Sequence, residues 1–321
     1  MTQQRHSMRA ALAALSVAAT LLFIPLQGSA ETFRAALVMP GSIADESWNQ
    51  TGYESLMRAR DELGIEVAYS ERVSQADQMN HLNDYARRGY DVVMGHGGEF
   101  LDSIQRAAAR HPDTLFVLTN GFIHDDNIAS VTFDFKQFGY AIGYLGARMS
   151  ETGEGSYLSA QRIQVATDLE DGFKQGFRSV HPDASVPVTY TDAWDDIALA
   201  REAALSHINR GVDVVFPLLD NAQVGALQAA RETDTWSFGV WTDVHDDWPD
   251  VALQSAVMDF RLALVDFLEL AMNGEAEGKV YQYGIGTEAG RLGTYNEAIP
   301  DDIVEDTEEV IRKLRDGEIR P

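Results

Sequence analysis

The side chains with the chemistry to hold a ligand stand at the ends of short apolar runs. The segment 41-GSIADESWNQTGYESL-56 follows FRAALVMP and gathers Asp45, Ser47, Trp48 and Asn49 where an apolar run gives way to a helical period. His96 and Gly97 lie in GHGG after DVVM, Asn120 follows LFVLT, Trp194 follows VPVTYTDA, Asp220 follows VVFPLL and Asp243 follows FGVWT. An indole flanked by hydroxyl and amide groups offers a flat apolar face beside hydrogen-bonding partners. Two such faces, Trp48 and Trp194, can sandwich a planar ring, each contact adding about 0.5–1.5 kcal/mol beyond area burial. A carboxylate such as Asp243 accepts two hydroxyl hydrogen bonds and suits a vicinal diol. Each residue also has a plainer reading. Trp48 can pack on the rim of its own lobe while Ser47 or Asp45 caps the helix, and Asp243 can form a turn before Pro249. His96 is either a ligand contact or a polar residue among glycines that let backbone approach a ligand.

Catalytic patterns find no support. GHGG has the look of an esterase oxyanion strand, but no G-x-S-x-G nucleophile turn accompanies it. There is no G-x-x-x-x-G-K-[ST] loop and no H-E-x-x-H, and the eight histidines show no metal-ligand spacing on one helix. The chain is therefore expected to be a binding protein rather than an enzyme, with no cofactor and no metal. An exported hydrolase is the alternative from a different class.

The elements that must position these residues are legible as alternation. Apolar runs (FRAALVMP, EVAYSERV, DVVMGHG, LFVLTNG, ASVTFDF) alternate with segments of helical period near 48–63, 75–88 and 99–110. Strands apolar throughout, each followed by a helix, read as parallel sheets covered on both faces, which is α/β architecture. The theme recurs: 88-RGYDVV-93 returns as 210-RGVDVV-215. Two Rossmann-like lobes in sequence are the simplest reading. In such sheets ligands sit beyond the carboxyl ends of the strands, where every residue above falls.

The first thirty residues read as a cleaved leader: Arg5 and Arg9, the apolar run ALAALSVAATLLFIPL, then GSA at 28–30. The expected destination is a bacterial periplasm. With no cysteine there is no lipid-modification site, disulfide or thiolate chemistry. A formal net charge of −25 argues against nucleic acid and anionic membranes as partners. It also argues against a sugar-responsive repressor, which would need a basic helix-turn-helix head.

The segment 45-DESWNQTGYESL-56 resembles the opening segment of the BMP family, the PnrA-like nucleoside-binding proteins of ABC transporters. Similar stretches are 87-RRGYDVVMGHGGEF-100, 110-RHPDTLFVLTNG-121, 210-RGVDVVFPLLDNAQVGALQAA-230 and 292-LGTYNEAIPDDI-303, in family order over nearly the whole mature chain. The resemblance implies the type I periplasmic-binding-protein fold, with two lobes, a multi-strand hinge and a nucleoside between them. It further implies an ABC permease with its ATPase as partner, and a monomeric receptor. By position Trp48 and Trp194 would stack on the base, Asn49 and Asn120 would read its edge, and Asp243 would grip ribose. Where relatives carry a ribose-contacting Lys, 284-GIGTEAGRLG-293 has Gly286, which keeps a free nucleobase, another planar metabolite or a sugar as alternatives. The expected division is a leader over 1–30, lobe 1 over 31–134 plus 246–277, and lobe 2 over 135–245 plus 278–321.

Overall fold

The computed structural model describes residues 32–44 and 48–321; the leader, Asp45 and Ser47 lie outside the described residues. The first half follows the predicted alternation. Strands β1 (Arg34–Val38), β2 (Glu66–Ser70), β3 (Val92–His96), β4 (Leu115–Thr119) and β5 (Ile128–Phe133) are separated by helices α1 (Trp48–Leu63), α2 (Gln78–Arg87) and α3 (Leu101–Ala108). β3 and β5 are buried along their whole length, polar His96, Ser130 and Thr132 included, as strands inside a mostly parallel sheet are.

The second half repeats the plan. It runs α4 (Phe135–Met149), β6 (Gly155–Ser159), α5 (Gln164–Val180), β7 (Val188–Tyr190), α6 (Ile197–Ile208), β8 (Val214–Leu218), α7 (Gln223–Thr233), β9 (Trp236–Val240) and β10 (Ala252–Met258). The chain closes with α8 (Phe260–Met272), β11 (Val280–Tyr283), β12 (Gly290–Leu292) and α9 (Asp301–Arg315). Two six-stranded sheets result, ordered β11-β5-β4-β3-β1-β2 and β12-β10-β9-β8-β6-β7. Pairing is parallel except between β10 and β12, where Ala256 faces Leu292 in an antiparallel ladder.

The chain crosses between sheets three times. At Asp134 it leaves β5 for α4, and the Asp134 carboxylate caps that helix by accepting from the Gln137 N–H at 3.3 Å. At Asp259 it leaves β10 for α8, which packs on α1, and Asp259 caps α8 by accepting from the Arg261 N–H at 2.9 Å. The third crossing runs from Tyr283 to Gly290. Sheet membership therefore differs from the expected division. Ala252–Met258 pairs in the second sheet and Val280–Tyr283 in the first, which moves the later crossings from 246 and 278 to Asp259 and to 284–289. The reason is strand pairing: β10 continues the second sheet beside β9, while β11 returns to the edge of the first sheet beside β5, and periodicity carries no record of either choice. Aromatic rings knit the crossings together, with Phe133 edge-on to Phe260 at 4.9 Å.

One buried histidine gives the fold a measurable acid sensitivity. His207 on α6 is 2% exposed, shares a 2.9 Å hydrogen bond with Thr189 Oγ1 and has no partner at Nδ1. Burial, aided by the charge of Arg210, pushes its pKa down to about 4. Below its ordinary value near 6.5 the unfolded chain takes the proton and the folded chain does not. Stability from this residue is thus full above about pH 6.5 and falls as pH approaches 4. Between pH 7 and pH 5 the loss should be about 2 kcal/mol. Urea unfolding at both pH values should show a smaller loss in His207→Gln; equal losses in the two proteins would dismiss the assignment.

Candidate ligand-binding site

The carboxyl edges of the two sheets face one cavity of about 910 Å³. The half of the chain up to β5 contributes Trp48, Asn49, Gly97, Glu99 and Asn120; the other half contributes Gln161, Ile163, Trp194, Asp195, Asp220 and Trp241. Among the described residues no cluster of side chains is arranged to hold a metal, and no helix is long and apolar enough to cross a membrane.

Trp48 opens α1, and its indole lies on the His96 ring with centroids 4.0 Å apart and planes 11° from parallel. His96 is fully buried. Its Nε2–H donates to the Trp48 carbonyl at 2.9 Å, so its Nδ1 accepts, at 3.0 Å, from the Thr119 hydroxyl. The Thr119 oxygen in turn accepts from the Gly97 N–H at 3.0 Å. Gly52 leaves room for this arrangement, since a Cβ there would stand 2.6 Å from His96 Nε2. His96 therefore supports the indole from behind and does not line the cavity. Asn49 does line it, and its Oδ1 also accepts from the Gly41 N–H at 2.9 Å, tying the β1–α1 loop to the helix start.

On the opposite wall, the Trp194 carbonyl accepts from the N–H groups of Asp220 and Ala222, at 3.2 and 3.1 Å. Asp195 Oδ1 accepts from the Asn221 N–H at 3.3 Å. These bonds tie the β7–α6 and β8–α7 loops to each other beside the indole and both carboxylates. The ring is half-buried against an apolar cluster that includes Ala200 and Leu219.

Two backbone outliers meet at this cavity. Asn120 and Trp241, each the first residue after a strand, hold φ of 57° and 70°. Left-handed backbone at non-glycine residues costs about 1–3 kcal/mol and persists where neighbours impose it. Here the Asn120 N–H donates to the Val131 carbonyl at 2.9 Å and the Trp241 N–H to the Ala256 carbonyl at 3.0 Å. Asn120 Oδ1 and Trp241 Nε1 are both buried without a hydrogen-bond partner, a state that a bound ligand would relieve. Trp241 was not among the residues singled out by sequence. It follows FGV at a strand end as Trp194 follows its own run, and that position was the available signal.

Asp243 lies elsewhere. It is exposed and absent from the cavity wall. Its Oδ2 accepts from the Thr294 N–H and hydroxyl at 2.8 and 2.7 Å, and its Oδ1 from Ser255 and the His245 N–H at 3.3 Å each. Desolvation pushes its pKa up, but these hydrogen bonds outweigh it and hold the carboxyl below its ordinary value. Asp243 thus ties the β9–β10 and β12–α9 connections together. Gly286, in left-handed backbone at φ 88°, is likewise outside the cavity wall.

Residues 32–319 match the model of the Bmp family, described as ABC transporter substrate-binding protein PnrA-like, and the chain belongs to that family. It is 29% identical to the transcriptional activator protein med of Bacillus subtilis, over 87% of this chain and 86% of that one. It is 24% identical to a purine-binding protein of Brucella abortus, over 95% and 88%. A solved ABC transporter solute-binding protein from Aeropyrum pernix superposes with a TM-score of 0.76 at 20% identity, covering 90% of this chain and 92% of that one. The fold is that of the type I periplasmic binding proteins, and the family is one of solute-binding proteins that take a small molecule and serve a permease.

Proposed function

We infer that this receptor binds a purine or pyrimidine nucleoside between its lobes, the base stacked between Trp48 and Trp194 with Asn120 at its edge. The observation that carries the reading is one cavity walled by indoles from both halves of the chain. One face of Trp48 is already covered by His96, so a ligand stacks on the other. Asn49 and Asp220 complete the polar wall. The names of the Brucella purine-binding protein and of a nucleoside-binding protein of Lactococcus lactis, 26% identical, favour the same ligand class. On this reading lobe 1 comprises residues 32–134 with 259–284 and lobe 2 the remainder. The leader delivers a monomer to the periplasm, where the closed form docks on a permease coupled to an ATPase.

A free nucleobase is the second reading, favoured by the engagement of Asp243 with Thr294 and by a glycine at 286. Calorimetry of the ligand-free protein with nucleosides and their bases separates the two. Nucleosides binding at least tenfold tighter than their bases support a ribose contact; the reverse order assigns the site to the base alone. Binding of a hexose but of no heterocycle would end both readings.

A further inference from the structure

The cavity wall holds one acid with no assigned role. Glu99 follows Gly97 and Gly98 in the turn from β3 to α3 and lines the cavity. Its carboxylate rests over Gly97, where a Cβ would stand 2.2 Å from Oε2 and 3.1 Å from Oε1. Gly97 has φ 121°, so glycine both permits the turn and leaves the seat open for the carboxylate. Although solvent reaches Glu99 through the open cleft, the surrounding walls desolvate it and push its pKa up, against only the hydrogen bond of its own backbone N–H. No cationic side chain of the described residues compensates it.

Its neighbour is also an unsatisfied acceptor. β3 and β4 pair with His96 opposite Thr119, so Glu99 and Asn120 emerge from adjacent strand ends. Asn120 Oδ1 is buried without a partner. Across the cavity stand Asp195 and Asp220, and among the described residues no Lys, Arg or His lines it. Acidic side chains on both sides of the cavity are costly to desolvate unless the ligand brings N–H groups or positive charge, and their charge disfavours an anion.

We propose that Glu99, beside Asn120, reads an N–H-bearing edge of the ligand. The receptor then selects heterocycles that turn an exocyclic amine toward this pair of acceptors over their oxo counterparts, whose carbonyl oxygen in the same place would meet only another acceptor, and rejects phosphorylated ones. This rests on the stacking site proposed above.

The test is titration calorimetry of the ligand-free full chain with adenosine, guanosine and cytidine, with inosine and uridine, with the corresponding bases, and with adenosine 5′-monophosphate. The preferred amino-bearing ligand should bind at least about tenfold tighter than its oxo counterpart and than the monophosphate. Glu99→Gln should weaken that ligand roughly tenfold to a hundredfold, with little change for the oxo compounds and an unchanged melting temperature. Equal affinity for amino and oxo ligands, tight binding of the monophosphate, or a Glu99→Gln variant within threefold of the parent would overturn the assignment while leaving the stacking site intact. Binding by none of these compounds would instead overturn the nucleoside and nucleobase readings together, and this assignment with them.

Discussion

Trp48→Ala should weaken binding of the true ligand by a hundredfold or more. An indole face laid on a heterocycle withdraws about 100 Å² of apolar surface from water, or ~2.5 kcal/mol, and the ring contact adds about 1 kcal/mol. Together these correspond to a loss of roughly two to three powers of ten in affinity. The platform is pre-organised, which keeps the estimate from being diluted by ordering costs: His96 holds the ring at 4.0 Å, Phe260 meets it edge-on at 5.0 Å, and the His96 ring is fixed from both nitrogens. Trp48→Phe, which keeps a ring, should retain most of the affinity. His96→Gln should cost about tenfold by loosening the indole without touching the ligand. Calorimetry on the three variants decides it. An alanine variant within threefold of the parent would show that the base lies elsewhere, with Trp241 the next candidate.

How far the site was legible in sequence depends on which residues are placed by a strand end alone. Trp48, Asn49, Asn120, Trp194 and Asp220 line one cavity because each lies in, or at the helix start after, a loop leaving the carboxyl end of a strand, and doubly wound sheets gather such loops at one edge. His96 obeys the same rule but ends its strand facing inward, under the indole. That orientation is decided by Gly52 on α1, which leaves the space the ring fills. Asp243 fails the rule because its partner, Thr294, arrives from a connection some fifty residues later, and no local pattern announces that contact. Trp241 escaped notice because an indole in left-handed backbone is held by the neighbouring strand, not by any propensity of its own. Glu99, near the start of a helix, has the composition of an ordinary solvated first turn. The two sheets were legible as alternation, but the later crossings were not, since β10 stays beside β9 while β11 returns to the edge of the first sheet.

The second wall of the cavity depends on a contact far from any ligand. α4 and α5 touch backbone to backbone. A Cβ at Gly139 would lie 2.3 Å from the Leu169 carbonyl oxygen, and one at Gly143 2.2 Å from that of Phe173. From the other helix, Gly172 would meet the Lys136 carbonyl at 2.2 Å and Gly176 that of Tyr140 at 2.1 Å. Four glycines spaced four apart in two helices sacrifice about 1 kcal/mol each in helix propensity relative to alanine. Two opposing effects therefore act on Gly172→Ala: a gain of that size in propensity, and a steric cost of typically 1–3 kcal/mol, since a backbone carbonyl yields less readily than a side chain. The 2.2 Å approach makes the steric effect the larger, so the alanine variant should be destabilised despite its better propensity. Gly172→Val adds β-branching to the same clash and should lose about 3 kcal/mol or more. Urea unfolding measures both, and an alanine variant more stable than the parent would mean the helices have room to spare. The consequence reaches the ligand because α4 begins at the first crossing, Asp134, while α5 begins at Gln164, directly after the loop that carries Gln161 and Ile163 along the cavity. Forcing the two helices apart shifts that wall relative to the hinge. A Gly172→Ala protein that still folds should therefore bind ligand more weakly than its parent, although no atom near the cavity has been changed.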